Sequence, residues 1–459
     1  MTQTPRYQVT DPATGEVVET FPFATDAEVQ QALAGASSAF AQWRKRPVEE
    51  RAAIVKRVGE LFGERAAELG ALITREMGKR PSSASGEAEF CSDIFGYYGD
   101  NGPALLADKP LPGHDSARIE YLPVGAVLGV MPWNYPYYQV ARFAAPNLVA
   151  GNTVILKHAE NCPTSALAIA DIMREAGVPE GVYVNLFATH EQVAAMIADP
   201  RLRGVSLTGS ERAGTVVAET AGRNLKKVVL ELGGSDPYII LDTPDVDEAA
   251  KTAWVTRMEN VGQACNSNKR MIVMDDIYDD FVAALVKRAA AQTPREPGDD
   301  SPRAYSPMVS RKAAENLLAQ VQDAVGKGAT LHVGGQIVGD KGAYFAPAVL
   351  TGVTPEMRAY KEELFGPVAV VYKVTGDEEA VQLANVVDFG LGGAVWSTDE
   401  ERASAVAAQL EVGMANVNTP AGEGADLPFG GTKRSGFGRE LGPLGIDEFI
   451  NKRLFYVQK

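Results

Sequence analysis

The sequence is poor in the two side chains that most often bind metals or form cross-links. Its 459 residues include three cysteines and four histidines. An odd number of cysteines in a long chain argues against a disulfide framework and is typical of a reducing compartment. No histidine stands at a metal-ligand spacing from a cysteine, so the sequence predicts no metal site.

Basic residues and long apolar runs are also scarce. The chain has 44 Lys and Arg residues against 59 Asp and Glu residues, a net charge of −15. This charge repels a phosphate backbone, so nucleic acid is not expected as a partner. The first 21 residues contain no apolar signal core, and no uncharged apolar run of about 18 residues occurs. We therefore expect a cytoplasmic protein that does not enter a membrane.

The chain does contain a regular alternation of short apolar runs with helical patterns. Between residues 151 and 234, four strand-like runs, the first at Thr153–Leu156, alternate with three helices, and residues 236–430 repeat the pattern. Such alternation indicates parallel strands in a doubly wound sheet. We expect segments 330–338 and 342–345 to form a solvent-facing hairpin or loop. The sequence thus predicts an α/β protein with two doubly wound α/β domains.

Three other regions depart from this alternation. The first hundred residues are mainly helical after a short extended start. Residues 105–130 form extended runs punctuated by prolines, and the C-terminal Leu454–Val457 is apolar and extended. An exposed apolar edge strand is a pairing surface for another chain. We expect these last two regions to form a small β element used for oligomerisation.

Cys265 lies in the polar, glycine-containing turn Asn260–Asn266 rather than in an apolar run. A thiol in such a turn is a candidate nucleophile, and the alternative is an inert buried thiol. Cys91 follows a helical pattern and Cys162 precedes a proline at a helix start, so we interpret both as packing or solvent-facing residues. A cysteine hydrolase would also need a histidine base, and no histidine lies in a motif of that kind.

Glu231 has an equally unusual setting. It closes the apolar run Val228–Leu230 and precedes Gly233 and Gly234, which places a carboxylate at the carboxyl end of a strand. A carboxylate there can act as a general base, and the alternative is a solvated helix cap. It lies 34 residues before the candidate thiol.

The pairing and spacing of this glutamate and thiol resemble the aldehyde dehydrogenase superfamily, whose signatures continue in order through most of the chain. The further segments that carry the resemblance are Met131–Pro136 (oxyanion), Lys157–Glu160 (adenosine ribose), Leu207–Ser210 (phosphate turn), Glu362–Pro367 (nicotinamide), and Pro428–Gly431 with Ser435–Gly436 (C-terminal signature). One such motif is a weak signal, whereas the ordered set is specific.

The resemblance implies a division of the chain and an assembly. A Rossmann-type NAD-binding domain is expected at residues 1–105 and 126–234, and a catalytic thiol domain at 235–436. The small β oligomerisation element is expected at 106–125 and 437–459, in a homodimer or homotetramer. The reaction centre then lies between the two large domains.

The resemblance also implies roles for single residues. Cys265 adds to an aldehyde, the Asn134 amide and the Cys265 backbone N–H stabilise the oxyanion, and Glu231 activates water. The residues expected at the cofactor are Trp133, Lys157, Glu160, Gly209, Ser210, Glu363 and Phe365. Outside this context Asn134 is an ordinary turn asparagine, and the others are ordinary surface or core residues.

One of these residues bears on the pyrophosphate and another on the choice between NAD and NADP. Gly209 lies between a strand and a helix, where backbone N–H groups can approach a pyrophosphate. A carboxylate at Glu160 can accept hydrogen bonds from both adenosine ribose hydroxyls but repels a 2′-phosphate. We therefore expect NAD, with NADP as the alternative.

The expected reaction is oxidation of an aldehyde to its carboxylic acid through a thiohemiacetal and a thioester, with hydride transfer to NAD(P). Arg142, nine residues after Trp133, lies where succinate-semialdehyde dehydrogenases place an arginine that binds the substrate carboxylate. Glu259 stands six residues before Cys265, where some of those enzymes carry a second arginine. We predict succinate semialdehyde as the substrate. Aminoaldehydes or neutral aldehydes are the alternative if Glu259, rather than Arg142, determines which substrate binds.

Overall fold

Helices cover the N-terminal hundred residues and flank two large sheets. The computed structural model describes residues 7–296 and 299–458. Its helices are α1 (Asp26–Trp43), α2 (Val48–Glu64), α3 (Ala66–Met77), α4 (Pro81–Leu105), α5 (Tyr138–Ala150), α6 (Pro163–Glu175), α7 (His190–Ala198), α8 (Glu211–Arg223), α9 (Val246–Met258), α10 (Asp275–Ala290), α11 (Arg311–Gly326), α12 (Arg358–Lys361), α13 (Asp377–Asn385), α14 (Glu400–Ala407) and α15 (Gly442–Gly445).

The strands follow the alternation expected from the sequence, with several short additions. They are β1 (Tyr7–Thr10), β2 (Val17–Phe21), β3 (Lys109–Leu111), β4 (His114–Pro123), β5 (Ala126–Val130), β6 (Thr153–Lys157), β7 (Tyr183–Asn185), β8 (Leu202–Thr208), β9 (Lys227–Glu231), β10 (Pro237–Ile240), β11 (Arg270–Met274), β12 (Thr293–Pro294), β13 (Ala304–Tyr305), β14 (Thr330–Val333), β15 (Ala348–Thr351), β16 (Val368–Val374), β17 (Phe389–Gly390), β18 (Gly392–Trp396), β19 (Met414–Val417), β20 (Thr432–Lys433), β21 (Gly436–Phe437) and β22 (Ile450–Tyr456).

Local residues fix where several helices begin and end. Thr25 caps α1 because its side chain accepts the Glu28 N–H while the Glu28 carboxylate accepts the Thr25 N–H. Gly151, with φ of 98°, ends α5 in the left-handed conformation that glycine adopts without strain. These signals are local, so the sequence reveals them.

The first large sheet has the strand order β21-β9-β8-β5-β6-β7. Every neighbouring pair is parallel except β21 with β9. The carboxyl ends of the parallel strands therefore meet at one edge, where Lys157, Thr208 and Glu231 are the last residues of their strands. The predicted doubly wound sheet is confirmed.

The second large sheet has the order β14-β15-β16-β11-β10-β18-β19 and is parallel except for β14 with β15. The predicted hairpin at 330–338 and 342–345 is present, since Ile337 pairs with Phe345 in an antiparallel bridge and Leu331 of β14 stands opposite Leu350 of β15. It does not face solvent throughout, because Ala343 and Phe345 are buried and β15 pairs with β16 of the large sheet.

A third, small sheet joins two regions far apart in the chain. Its order is β22-β4-β3, and β22 pairs with β4 in antiparallel register from Ile450 opposite Pro123 to Tyr456 opposite Ala117. The extended conformation predicted for both regions is confirmed. Their use in oligomerisation stays a prediction.

The core is continuous between the helical region and the first sheet, since one apolar cluster joins α2, α3, α4 and α5 to β5 and β6. Within residues 7–296 and 299–458, no helix is long and apolar enough to cross a membrane. The expected domain limits at residues 1 and 459 lie outside the described residues.

Candidate active site

The turn that carries Cys265 has an unusual backbone. Helix α9 runs into a 3-10 turn in which Asn260, Val261 and Gly262 have φ of 46°, 56° and 72°. A β-branched residue in this left-handed region is strained, and such strain persists only where the surroundings hold it. A methyl group added to Gly262 would lie 2.3 Å from the Gly366 carbonyl oxygen. The neighbouring chain therefore fixes the shape of the turn.

Arg257, the one arginine of α9, is the main side chain that holds this turn in place. Its side chain is fully buried and donates five hydrogen bonds, at 2.6 to 3.3 Å. The acceptors are the carbonyl oxygens of Gly262, Leu364, Gly366 and Val368 and the hydroxyl of Ser267. Burial lowers the pKa of Arg257 to about 9, so the guanidinium remains charged at neutral pH.

Lys269 is a second such side chain, and it links the thiol turn to a predicted cofactor residue. Its ammonium donates to the carbonyl oxygens of Ala264 (2.7 Å) and Cys265 (2.8 Å) and lies 3.0 Å from Glu363 Oε1. The same carboxylate oxygen accepts the Gly234 N–H at 3.1 Å. The structure thus joins the loops that carry Cys265, Glu231 and Glu363.

Cys265 is the only one of the three cysteines that reaches a cavity, since Cys91 and Cys162 are fully buried. The cavity has a volume of about 390 Å³ and is also lined by Arg142 and Glu259. Burial raises the pKa of the Cys265 thiol to about 11, and Arg142 and Lys269 oppose that rise. The two cations therefore favour the thiolate form.

Asn134 lies against the thiol turn, as the resemblance implied. Its Nδ2 donates to the Gln263 carbonyl oxygen at 3.0 Å, and its Oδ1 accepts from Gln139 Nε2 at 2.9 Å. Asn260 Nδ2 donates to the Asn134 carbonyl oxygen at 2.9 Å. Because an amide carries two hydrogens on nitrogen, one remains for an oxyanion near Cys265.

Glu231 ends β9 with its carboxylate almost completely buried. Neither carboxylate oxygen has a hydrogen-bond partner within residues 7–296 and 299–458. Burial raises its pKa well above the usual value, with Glu440 adding to the rise and Arg142 and Arg439 opposing it. A raised pKa suits a general base that works near neutral pH. Glu231 does not itself line the described part of the cavity that holds Cys265.

Arg142 projects from α5 into the same region. Its Nε lies 2.8 Å from Glu440 Oε2, and its guanidinium lies 4.5 Å from the ring centre of Tyr138 and 4.3 Å from that of Phe429. Burial works to lower its pKa, but Tyr138 and Glu440 outweigh burial and raise it. Its Nη2 has no hydrogen-bond partner in the described chain. Arg142 is therefore charged, oriented and incompletely paired.

Glu259 does not pair with Arg142 in the described chain, where the partner of Arg142 is Glu440. Glu259 is exposed and lines the same cavity, together with Glu423. Burial raises the pKa of Glu423, and Glu259 adds to the rise. Glu259 and Glu423 are thus two of four carboxylate residues in the described chain that line the cavity that Arg142 enters, the others being Glu87 and Asp236.

The predicted cofactor residues gather at the carboxyl edge of the first sheet. Lys157 Nζ lies 3.7 Å from Glu160 Oε1, and Ser210 caps α8 by accepting the Ala213 N–H. Gly209 directly precedes that cap. Farther along, the rings of Trp133 and Phe365 meet edge to face at 5.8 Å. Glu363, whose carboxylate is held by Lys269, is the last of the predicted cofactor residues.

These residues fit a dinucleotide. The buried Thr208 Oγ1, at the end of β8, has no hydrogen-bond partner among the described residues. It precedes the free N–H groups at the start of α8, which attract a pyrophosphate. An open cavity of about 640 Å³ adjoins Trp133 and Glu160. The donors that a pyrophosphate needs are thus present, and open space adjoins two of the predicted cofactor residues. No cluster of three metal-ligating side chains occurs in the part of the chain that the structure describes.

Sequence reasoning missed residues that act through the backbone or at long range. They are Gln139, Asp236, Arg257, Lys269 and Glu440. Burial raises the pKa of Asp236, which lines the cavity with Cys265, to about 7. Glu440 follows Gly438-Arg439, and a carboxylate in that glycine-rich C-terminal signature was the one available signal.

The model of the aldehyde dehydrogenase family matches residues 1–454. A succinate-semialdehyde dehydrogenase [NADP(+)] of Deinococcus radiodurans is 54% identical over 449 residues, which cover 98% of this chain and 94% of the relative. A protein of the same description from Mycobacterium avium is 43% identical, covering 97% and 96%.

The chain is also similar to solved structures over nearly its whole length. The structure of Gox0499, described for its cofactor and substrate selection, has a TM-score of 0.96 at 42% identity and covers 99% of this chain and 100% of that one. The succinic semialdehyde dehydrogenase of Streptococcus pyogenes in complex with NADP+ has a TM-score of 0.95 at 41% identity, with the same coverage.

Proposed function

The chain belongs to the aldehyde dehydrogenase family, and on that premise we propose that it oxidises succinate semialdehyde to succinate. The observation that carries the substrate is Arg142, a buried arginine with an unpaired Nη2 in the described chain, which lines the same cavity as Cys265. Arginine binds a carboxylate through two parallel N–H groups, which few other side chains can do. The names of the relatives support the same substrate.

Cys265 is the proposed nucleophile. Its thiolate, favoured by Arg142 and Lys269, adds to the aldehyde carbon and forms a thiohemiacetal. The negative charge that develops on the substrate oxygen is stabilised by the remaining Asn134 amide hydrogen and the Cys265 backbone N–H. Because hydrogen bonds to Gln139 and Gln263 already orient the amide, little reorganisation is needed when the charge forms.

A nicotinamide dinucleotide, when bound, supplies the hydride acceptor for the oxidation. We propose that Lys157 and Glu160 hold its adenosine ribose, that the start of α8 with Gly209 and Ser210 holds its pyrophosphate, and that Glu363 holds its nicotinamide ribose. Trp133 and Phe365 complete the pocket. The fit of the unpaired Thr208 hydroxyl and the α8 N-terminus supports this arrangement.

Glu231 is the proposed base for the last step. The oxidised carbon is joined to Cys265 as a thioester, and a water molecule must lose a proton to attack it. The raised pKa of Glu231 and its two unpaired oxygens in the described chain equip it to accept that proton. Since Glu231 lies outside the cavity lining, its side chain must turn towards Cys265 during the cycle.

We propose NAD as the preferred cofactor, because Glu160 repels a 2′-phosphate. Lys157, at 3.7 Å, holds the Glu160 carboxylate at the end of β6. The relatives named for NADP(+) give the opposite expectation. The Glu160→Gln variant separates the two, because removing the charge must raise the efficiency with NADP relative to NAD.

An aminoaldehyde is the second candidate substrate. Glu259 and Glu423 both line the cavity, and two carboxylates attract a cationic substrate amine. With an aminoaldehyde the chemistry at Cys265 is the same, and only the group at the end of the substrate away from the aldehyde differs.

The test is a panel of aldehydes of similar length that end in a carboxylate, a methyl group or an amine. Each is assayed with NAD and with NADP, with and without coenzyme A, and with Cys265→Ala as the blank. We expect the highest kcat/KM for succinate semialdehyde, no requirement for coenzyme A and no activity in the blank. A preference for the amine would replace the proposed substrate, and a higher kcat/KM with NADP would refute the argument from Glu160.

We also propose that the chain forms a homodimer or homotetramer through the β3-β4-β22 sheet. The side chains of Leu454, Phe455, Tyr456 and Val457 are 36 to 57% exposed on it. Apolar residues concentrated on one strand are a pairing surface.

A further inference from the structure

A buried ion pair lies at the cavity that holds Cys265, where Glu87 is one of the lining residues, and the proposed chemistry gives this pair no role. Lys79, between α3 and α4, pairs with Glu87 of α4, and both side chains are almost fully buried. A buried charge pair is seldom a net source of stability, because desolvation offsets the attraction. A pair kept at this position therefore needs another explanation.

Glu87 holds the start of helix α5. Its Oε1 accepts the backbone N–H groups of Tyr137 at 2.9 Å and Tyr138 at 3.1 Å. These are two of the N–H groups that have no partner within the helix at its start. A carboxylate there is also stabilised by the positive end of the helix dipole. Lys79 holds the other side of the carboxylate, and its ammonium lies 3.8 Å from the ring centre of Tyr135.

A chain of hydrogen bonds continues from this helix start to the oxyanion amide. Gln139, in the first turn of α5, donates from Nε2 to Asn134 Oδ1 at 2.9 Å, and its own N–H donates to the Tyr135 carbonyl oxygen at 3.2 Å. Asn134 in turn donates to Gln263, two residues before the thiol. The links from Glu87 to Asn134 are thus contacts between buried or half-buried groups.

We propose that the Lys79–Glu87 pair is a positioning device for the oxyanion amide. Glu87 fixes the first turn of α5, and Lys79 holds the Glu87 carboxylate in place. Gln139, which lies in that turn, orients the Asn134 amide through its hydrogen bond. This inference rests on the proposed function, because Asn134 matters only if an oxyanion forms beside Cys265. It predicts an effect on the chemical step rather than on substrate binding, since an amide shifted by a fraction of an ångström stabilises the charge poorly.

The experiment is a double-mutant cycle of Glu87→Gln and Asn134→Ala, measured as kcat and KM for succinate semialdehyde. We expect Asn134→Ala to lower kcat about 10²-fold and Glu87→Gln to lower it about tenfold with little change in KM. In the Asn134→Ala background, Glu87→Gln should lower kcat less than about twofold, because the group that it positions is gone.

Two further variants separate positioning from stability. Lys79→Met with Glu87→Gln removes both buried charges, leaves a neutral acceptor for the Tyr137 and Tyr138 N–H groups, and should recover part of the kcat lost in Glu87→Gln. Asp242→Asn weakens the ion pair with Arg402, neither of which is among the described lining residues of the cavity, and serves as the control. It should lower the Tm and leave kcat unchanged.

The proposal is overturned by an unchanged kcat in Glu87→Gln, by an equal loss with and without Asn134, or by a loss seen in KM alone. If neither variant at Glu87 folds, the pair is a folding element and the proposal is also overturned. A wild-type chain without activity on any aldehyde would instead refute the proposed function, so the two failures are distinguishable.

Discussion

One buried arginine, Arg257, supports the turn that carries Cys265, another, Arg142, lines the cavity with it, and the two differ in how completely they are paired. Arg257 donates five hydrogen bonds, four of them to backbone carbonyl oxygens, and contacts no carboxylate among the described residues. Arg142 has one carboxylate partner, two aromatic rings and an Nη2 without a hydrogen-bond partner in the described chain. The saturated arginine holds the turn, and the unsaturated one is available to a substrate.

The comparison shows how a structural charge and a functional charge can be told apart when burial alone cannot separate them. Both guanidinium groups are at most 1% exposed. Their pKa values shift in opposite directions, because burial lowers that of Arg257 and Glu363 offsets this only in part, whereas Tyr138 and Glu440 outweigh burial at Arg142. Unfilled hydrogen-bonding capacity beside a cavity is therefore the better indicator of function.

The largest effect should come from Arg257→Lys. A lysine keeps the charge but offers three donors without the planar fork, so several buried carbonyl oxygens lose their partner. We expect the free energy of unfolding to fall by about 3 kcal/mol, measured by urea denaturation. Arg142→Lys, the matched substitution, should change it much less. Equal losses in the two variants would show that Arg257 and Arg142 do not differ in their contribution to stability.

A smaller but selective effect is expected from Arg142→Ala. The KM for succinate semialdehyde should rise about tenfold or more, since a hydrogen bond to a charged group contributes about 1.5 to 3 kcal/mol. The KM for an uncharged aldehyde of similar length should change little. The comparison of two aldehydes cancels any effect on Cys265 or Glu231, which Arg142 also influences. A parallel rise for both substrates would show that Arg142 has no role in carboxylate recognition.

The smallest effect concerns pH. The thiolate of Cys265 is the reactive form, so its alkylation by iodoacetamide should accelerate as pH rises towards the thiol pKa of about 11. Arg142 lowers that pKa, so Arg142→Met should move the curve to higher pH, whereas Arg257→Lys should leave it in place. Cys91 and Cys162 are buried and should not react in the folded protein. A curve unmoved by Arg142→Met would remove this arginine from thiol activation.

The sequence was most informative where structure is local. The two parallel sheets were predictable because each strand or helix carries its own pattern, and the motif around Cys265 pointed to the family. The assignment of single residues to catalysis and cofactor binding stays a prediction, supported by where the structure places them. The sequence indicated the hairpin that contains β14 but not that it extends the second sheet, because the pairing of β15 with β16 leaves no local pattern.

The supports of the site could not be predicted, for a physical reason. Arg257 bonds to Val368, which lies 111 residues away, and to backbone carbonyl groups that every residue possesses. No residue type at the far end marks such a contact. The Lys79–Glu87 pair is hidden in the same way, because Glu87 bonds to the backbone of Tyr137 and Tyr138.

The pairing of β21 with β9 determines when this enzyme can become active during its synthesis. Gly436 stands opposite Glu231, so the strand that carries the proposed base has an open edge until residues 436 and 437 have been made. Glu440, the partner of Arg142, arrives at the same time. A nascent or truncated chain that ends before residue 436 exposes an unpaired strand edge, which is prone to aggregation. Translation must therefore pass residue 440 before the active site can close.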